Sequence, residues 1–150
     1  MLTMKTKYAL KALAQLATAA DGQPLQIADI AEQEQIPRKF LEAILAELKN
    51  HGFLRSRKGR GGGYLLAKPA DTISLASVIR VLDGPIAPVP CLSRTAYRPC
   101  DGCKDEATCA VRLVLKDAHA ASLQVLESTT LADMVSRGQG AALPVLRYSI

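Results

Sequence analysis

Four cysteines, Cys91, Cys100, Cys103 and Cys109, fall within nineteen residues of this 150-residue chain, spaced C-x8-C-x2-C-x5-C. Confinement of all four to one aperiodic stretch points to a shared task. In a reducing compartment that task is metal or cluster ligation, or redox sensing, before it is a structural disulfide. Thiolates are soft donors suited to both iron-sulfur clusters and zinc, so the spacing leaves iron, zinc and a thiol switch open. Pro99-Cys100-Asp101-Gly102-Cys103 is a C-x-x-C turn able to aim two sulfurs at one metal. No βαβ pattern surrounds it, which argues against a thioredoxin-like enzyme. The two histidines, His51 and His119, have no ligand spacing to the cysteines; His51 reads as a cap on a helix end, His119 as mid-helix packing at a dimer seam.

A second group is cationic. Arg55, Arg57, Lys58 and Arg60 place four positive charges in six residues, between the strand-like Phe53–Arg57 and the return Tyr64-Leu65-Leu66-Ala67. Gly61, Gly62 and Gly63 complete the tip, and the whole reads as a hairpin. Just before it, Leu41, Ile44, Leu45 and Leu48 follow the i, i+3, i+4, i+7 spacing of one buried helix face, opening at Pro37 and stopping at Asn50-His51-Gly52. The opposite face carries Lys39, Ala43, Ala46 and Asn50, with Phe40 and Glu42 on its flanks. A helix with a polar outer face beside a cationic hairpin suits duplex DNA, the helix entering the major groove and a wing arginine the minor groove. A phosphate loop fits poorly, because the glycines match neither nucleotide pattern and join two strands.

The elements that must position these groups follow from periodicity. Residues 4–18 read as a helix with Leu10, Leu13, Ala14 and Ala17 on one face; a turn at 21–24 and a short helix from Ile27 to about Gln35 come next. Helix, short helix, tight turn, recognition helix and hairpin make a winged helix-turn-helix over residues 1–70. Residues 71–136 then hold a helix capped by Ser74, with Leu75, Val78, Ile79 and Leu82 apolar, and the loop 85–108. A long helix from about Thr108 to Ser128 and a capping box, Thr130 to Asp133, that opens a last short helix complete this part. Residues 137–150 are expected to be a loose C-terminal tail. The long helix is apolar around much of its circumference through Val111, Val114, Leu115, Ala118, Ala121 and Val125, extended by Leu113, Leu123 and Leu126. One flank does not need so much, which predicts pairing with a second copy in a homodimer. The fold class expected is mainly α with a small β wing, a winged helix-turn-helix plus a long dimerisation helix.

Charge agrees with this division. Residues 1–70 hold eleven Lys/Arg against six Asp/Glu and residues 71–150 eight against eight, so the net +5 lies entirely with the helix and wing. A phosphate-facing half and a neutral half suit a DNA-binding module joined to an assembly or sensing module. No stretch approaches the ~20 apolar residues of a bilayer span, so no membrane partner and a cytoplasmic location are expected. No nucleophile-base pair stands at credible spacing, and an enzyme is not expected.

The segments KYALKAL, IADIAEQEQIPRKFLEAILAELKNHGFLRSRKGRGGGYLLAKP and TTLADMV, with the cysteine loop between the last two, carry a resemblance over nearly the whole chain. The sequence resembles the winged-helix regulator family of the iron-sulfur cluster regulator IscR, the nitric-oxide-sensing NsrR and the cysteine regulator CymR. The resemblance implies a bacterial homodimeric transcription factor, a repressor reading a palindromic operator in double-stranded DNA and sensing iron, redox state or nitric oxide. It implies base or phosphate contacts from Arg38, Lys39, Phe40 and Glu42, and minor-groove contact from Arg60. It further implies a 2Fe-2S or 4Fe-4S iron-sulfur cluster on Cys91, Cys103 and Cys109, with Cys100 completing the set. Zinc or a thiol/disulfide switch in the same loop is the alternative, and a zinc-holding protein-interaction module a third. Where cluster-bearing relatives have a histidine three residues after the last cysteine, this chain has Arg112.

Overall fold

The computed structural model describes residues 2–19 and 22–141. Met1, Asp21 of the expected turn at 21–24, and residues 142–150 of the expected tail lie outside the described residues. Among the described residues six α-helices and one two-stranded hairpin make up the fold, mainly α with a β wing: α1 (Met4–Thr18), α2 (Ile27–Glu34), α3 (Arg38–Asn50), β1 (Leu54–Arg57), β2 (Gly63–Leu66), α4 (Leu75–Asp83), α5 (Ala110–Ser128) and α6 (Leu131–Gly140).

Each boundary has a local cause. Thr3 caps α1 by accepting the Thr6 N–H at 3.2 Å, and Ser74 caps α4 by accepting that of Ser77 at 3.2 Å. Gln35 ends α2 in the left-handed region at φ 53°, its N–H donating to the carbonyls of Ala31 and Glu32. The sharp reversal drops Ile36 into the core and leaves Pro37 as the N-cap of α3, one position before the first helical residue where its ring was expected. At the far end of α3 the His51 backbone N–H and ring Nδ1 both reach the Glu47 carbonyl, 3.1 and 2.9 Å away, so the histidine caps as its position suggested.

The core joins α1, α2, α3 and the hairpin base to Ile73, Val78, Leu82 and Leu131. Leu41, Ile44, Leu45 and Leu48 are its α3 face, as the spacing predicts. On α1 the buried stripe is Thr6, Ala9, Ala12, Leu13 and Leu16 instead of the expected Leu10, Leu13, Ala14 and Ala17. Small side chains at 9 and 12 let α1 lie close to its neighbours, and Leu10 and Ala17 pack at the rim.

The hairpin pairs Leu54 with Leu66, Arg55 with Leu65, Ser56 with Tyr64 and Arg57 with Gly63. A third segment joins it: Leu25 and Tyr64 exchange backbone hydrogen bonds of 2.9 and 2.8 Å just before α2 begins. The wing is therefore tied to the helix-turn-helix and does not hang from its own two strands.

Thr130 and Asp133 form the expected capping box, and the Leu131 N–H donates to the Ile73 carbonyl at 2.8 Å, stitching the start of α6 to the start of α4. α6 continues to Gly140, so residues 137–140 are helical where a tail was expected. Neither Gly138 nor Gly140 turns left-handed, and a glycine without that turn weakens a helix without ending it. α5 stands apart, burying only Leu123 of its nineteen residues. Among the described residues no helix is long and apolar enough to cross a membrane.

Candidate nucleic-acid interface and cysteine loop

Because α3 buries one stripe, its other side must face outward, and Arg38, Lys39, Phe40 and Glu42 are all exposed there. Arg38 Nε donates to Glu42 Oε1 at 3.2 Å, one turn along the helix. Phe40 is 41% exposed and meets the Tyr8 ring edge-on, with centroids 5.8 Å apart, so its ring is shared between the outer face and α1. Lys5 pairs with Glu47 at 2.7 Å and ties α1 to the same helix.

Beside this face Arg55, Arg57, Lys58, Arg60 and Gly61 are exposed on the wing. Among the described residues none of the four cations lies within ion-pair distance of an acid. Cations in water without protein partners are available to phosphates at little desolvation cost. Gly61 takes φ 73°, the left-handed conformation that brings the tip round. Gly63 serves another purpose: a Cβ on it would sit 2.2 Å from the Leu25 carbonyl oxygen, so only hydrogen fits where the wing meets that segment.

In the cysteine loop, a 3-10 turn at Pro90–Leu92 buries Cys91 to 5% exposure; Cys100 and Cys109 are half-buried and Cys103 is exposed. Cys109 is the N-cap of α5. Burial pushes the Cys91 thiol up, and the Cys100 thiol within hydrogen-bonding reach adds to the effect. Cys103 is also raised, by desolvation first and then by the fields of Cys109, Glu106 and Cys100. Among the described residues no three Cys, His, Asp or Glu side chains converge as a metal site, so the expected ligands are neighbours without forming a shared cage. Short turns hold them in place: Cys103 N–H to Cys100 carbonyl at 3.1 Å, Ala96 N–H to Ser93 Oγ at 2.9 Å and Thr108 hydroxyl to Asp105 at 2.8 Å. The donor set is nevertheless that of a soft metal centre, and Arg112 Nε, buried among these groups, has no hydrogen-bond partner.

Three features had no clear signal in the sequence. Glu127 on α5 pairs with Arg80 on α4 and, at 3.5 Å, with Arg94 of the cysteine loop. Tyr97 donates to Glu106 Oε1 at 2.5 Å, and Arg112 Nε lies 3.7 Å from the other carboxylate oxygen. The Leu25–Tyr64 bridge is the third. Contacts of this kind join residues far apart in the chain and leave no periodic trace.

A family profile described as Rrf2, iron-dependent transcriptional regulator, matches residues 2–137. A Rhodobacter capsulatus protein named as an rrf2-like HTH-type regulator is 47% identical over 145 residues, spanning 95% of this chain and 97% of its own. The solved structure of CymR, the global cysteine regulator of B. subtilis, superposes with a TM-score of 0.76 at 30% identity, over 91% of this chain and 96% of its own. The T. potens IscR structure gives a TM-score of 0.73 at 26% identity, over 95% and 91%. The fold is thus shared with these regulators, and this chain belongs to the Rrf2 family of winged-helix, DNA-binding transcriptional regulators and is not an enzyme.

Proposed function

We propose that the chain works as a homodimer that reads a palindromic operator through α3 and the wing and represses transcription according to the state of its cysteine loop. The observation that carries this reading is the set of wing cations, exposed and free of acidic partners among the described residues, beside the outer face of α3. In this reading Arg38, Lys39, Phe40 and Glu42 meet the major groove, Arg55, Arg57 and Lys58 meet phosphates, and Arg60, carried by the turn at Gly61, enters the minor groove. Dimerisation is supported by α5, where Val111 is 62% exposed, Leu113 48%, Val114 73% and Val125 54%. Such a face is costly in water and suits a second copy, which would also set two recognition helices one DNA turn apart.

The loop's donors and the iron-dependent description of the family support an iron-sulfur cluster held by Cys91, Cys103 and Cys109, with Cys100 completing the set. When bound, such a group supplies a one-electron couple that iron shortage or oxidants can remove. Glu127 supports communication with the DNA-binding unit, because it touches the loop through Arg94 and α4 through Arg80, and α4 shares a core with α3. The loop state changes DNA affinity only by its differential preference for the two arrangements, tenfold for each ~1.4 kcal/mol. A thiol switch is the second reading, favoured by the contact of Cys91 with Cys100; closing that pair releases two protons and gives two electrons to an oxidant such as peroxide.

Two experiments test the proposal. Selection from a randomised duplex pool should return an inverted repeat; recovery of no consensus would remove sequence-specific reading by a dimer. Anaerobic purification with iron, sulfide and zinc analysis should give visible charge-transfer bands with matching iron and sulfide. A colourless protein after reconstitution would remove the cluster, leaving zinc content or titrating thiols to identify the switch.

A further inference from the structure

We propose that Asp83 is a positioning residue for sequence reading: its carboxylate clamps the start of α1 and, through the Lys5–Glu47 ion pair, fixes the tilt at which α3 meets base edges. This deepens the reading of α3 as the base-reading helix and rests on it. Asp83 is the last residue of α4, where Gly84 turns the chain away at φ 84° and ψ −155°, a conformation that glycine alone takes without strain. Both carboxylate oxygens accept from one residue, Oδ1 from the Thr3 hydroxyl at 2.6 Å and Oδ2 from the Thr3 N–H at 3.1 Å. The partners stand 80 positions apart in the chain, so the fold makes this contact and local turn geometry does not. Burial opposes ionisation of the Asp83 carboxyl, but the bonds from Thr3 outweigh it and hold the group below the usual carboxylate range. The anion is therefore the clamping form at neutral pH.

The position of the clamp gives it a task beyond capping. Thr3 Oγ1 also accepts the Thr6 N–H at 3.2 Å, so Asp83 grips the N-cap of α1, and the first turn begun there carries Lys5. Lys5 Nζ lies 2.7 Å from Glu47 of α3, each side chain about one-third exposed. Farther along α1, Lys11 and Gln15 hold Glu34 at the end of α2, at 2.9 and 2.7 Å. α1 thus carries polar ties to both helices of the helix-turn-helix, across an apolar core whose attraction has no direction of its own. Among the described residues no other side-chain hydrogen bond or ion pair joins α1 or its cap to a residue beyond the wing. One turn back on α4, Arg80 pairs with Glu127, so Asp83 is where α4 and α5 hold α1 in register. Part-exposed pairs add little to stability, and the loss of this clamp is read in the alignment of base contacts instead.

The test measures binding of D83A, E47Q and the double variant to the selected duplex and to a scrambled duplex of the same length and composition, by fluorescence anisotropy. Circular dichroism checks that each is folded. D83A and E47Q should each lower the ratio of selected to scrambled affinity about tenfold, the scale of one misaligned base contact. Both should bind the scrambled duplex no more weakly than wild type, because each removes a negative charge from a DNA-binding protein. The double variant should match the weaker single one, since the two ties act in series. D83N, isosteric but able to accept only one of the two Thr3 bonds, should lower the ratio about threefold and carries the test if D83A does not fold. An unchanged ratio in D83A, or in D83N in its place, would overturn the proposal. So would an equal loss on both duplexes, or losses that multiply in the double variant. A wild-type protein that binds the two duplexes equally would instead remove base reading by α3, and this role with it.

Discussion

Replacing Gly63 with Ala tests whether the wing is held by the segment before α2. The added Cβ would lie 2.2 Å from the Leu25 carbonyl oxygen and 2.6 Å from its carbon, so β2 must retreat by roughly an ångström to restore contact distance. That movement breaks the two Leu25–Tyr64 hydrogen bonds of 2.9 and 2.8 Å, worth about 0.5–1.5 kcal/mol each. The φ of 148° adds strain of about 1–3 kcal/mol for an L residue. Together these give a loss of about 2–6 kcal/mol if β2 keeps its conformation, and a displaced wing if it does not. Gly61→Ala is the control, because its φ is 73° with nothing within 4 Å, leaving conformational strain alone, about 1 kcal/mol. Urea unfolding followed by circular dichroism measures stability, and fluorescence anisotropy on the selected duplex measures binding. Gly63→Ala should lose more in both. Equal effects of the two substitutions would refute the anchoring argument.

Val114→Glu places a carboxylate on the most exposed large apolar residue of α5, which is 73% exposed in the single chain, and should leave helical content unchanged. The mass by light scattering should fall from twice the chain's 16.0 kDa to that value, and a mass that stays doubled would move the dimer seam elsewhere. Glu34 gives a pH prediction: burial opposes its ionisation, but hydrogen bonds from Gln15 and Lys11 outweigh this and hold the carboxyl below the usual carboxylate range. Its folded value is therefore below its unfolded value, so its stabilisation is present above about pH 4.3 and is lost as pH falls through the folded value. The stability gap between wild type and Glu34→Gln should close over that acid window, and a constant gap would refute the assignment. Leu45→Ala empties a position with 0% exposure and should cost about 2–5 kcal/mol by urea unfolding; a loss under 1 kcal/mol would mean that the core closes over the gap.

Legibility in the sequence followed the range of the interaction. Leu41, Ile44, Leu45 and Leu48 announce α3 because a helix repeats its buried face every three or four residues, and Ser74, Thr130 and Asp133 announce caps because their bonds close within three residues. The α1 stripe was misplaced because Thr6, Ala9 and Ala12 carry little hydropathy, although small size is what qualifies them for burial. The glycine-rich tip identified a hairpin, but the strict need at Gly63 comes from Leu25, thirty-eight residues earlier. Likewise the cysteines were legible as a group, whereas the contacts around them, Tyr97 to Glu106 and Arg94 to Glu127, are set by tertiary packing.

The central claim is that α3 and the wing form a phosphate- and base-reading surface, and the salt dependence of operator binding tests it most directly. Each phosphate contact releases counterions and adds about 0.9 to the slope of log K against log salt. With Arg55, Arg57, Lys58 and Arg60 exposed on each wing, the proposed dimer should show a steep slope, and Lys58→Ala, which removes a phosphate contact, should make it shallower by about 0.9 per protomer while weakening binding. Binding that barely changes with salt, or a Lys58→Ala slope identical to wild type, would contradict the assignment of the wing to DNA.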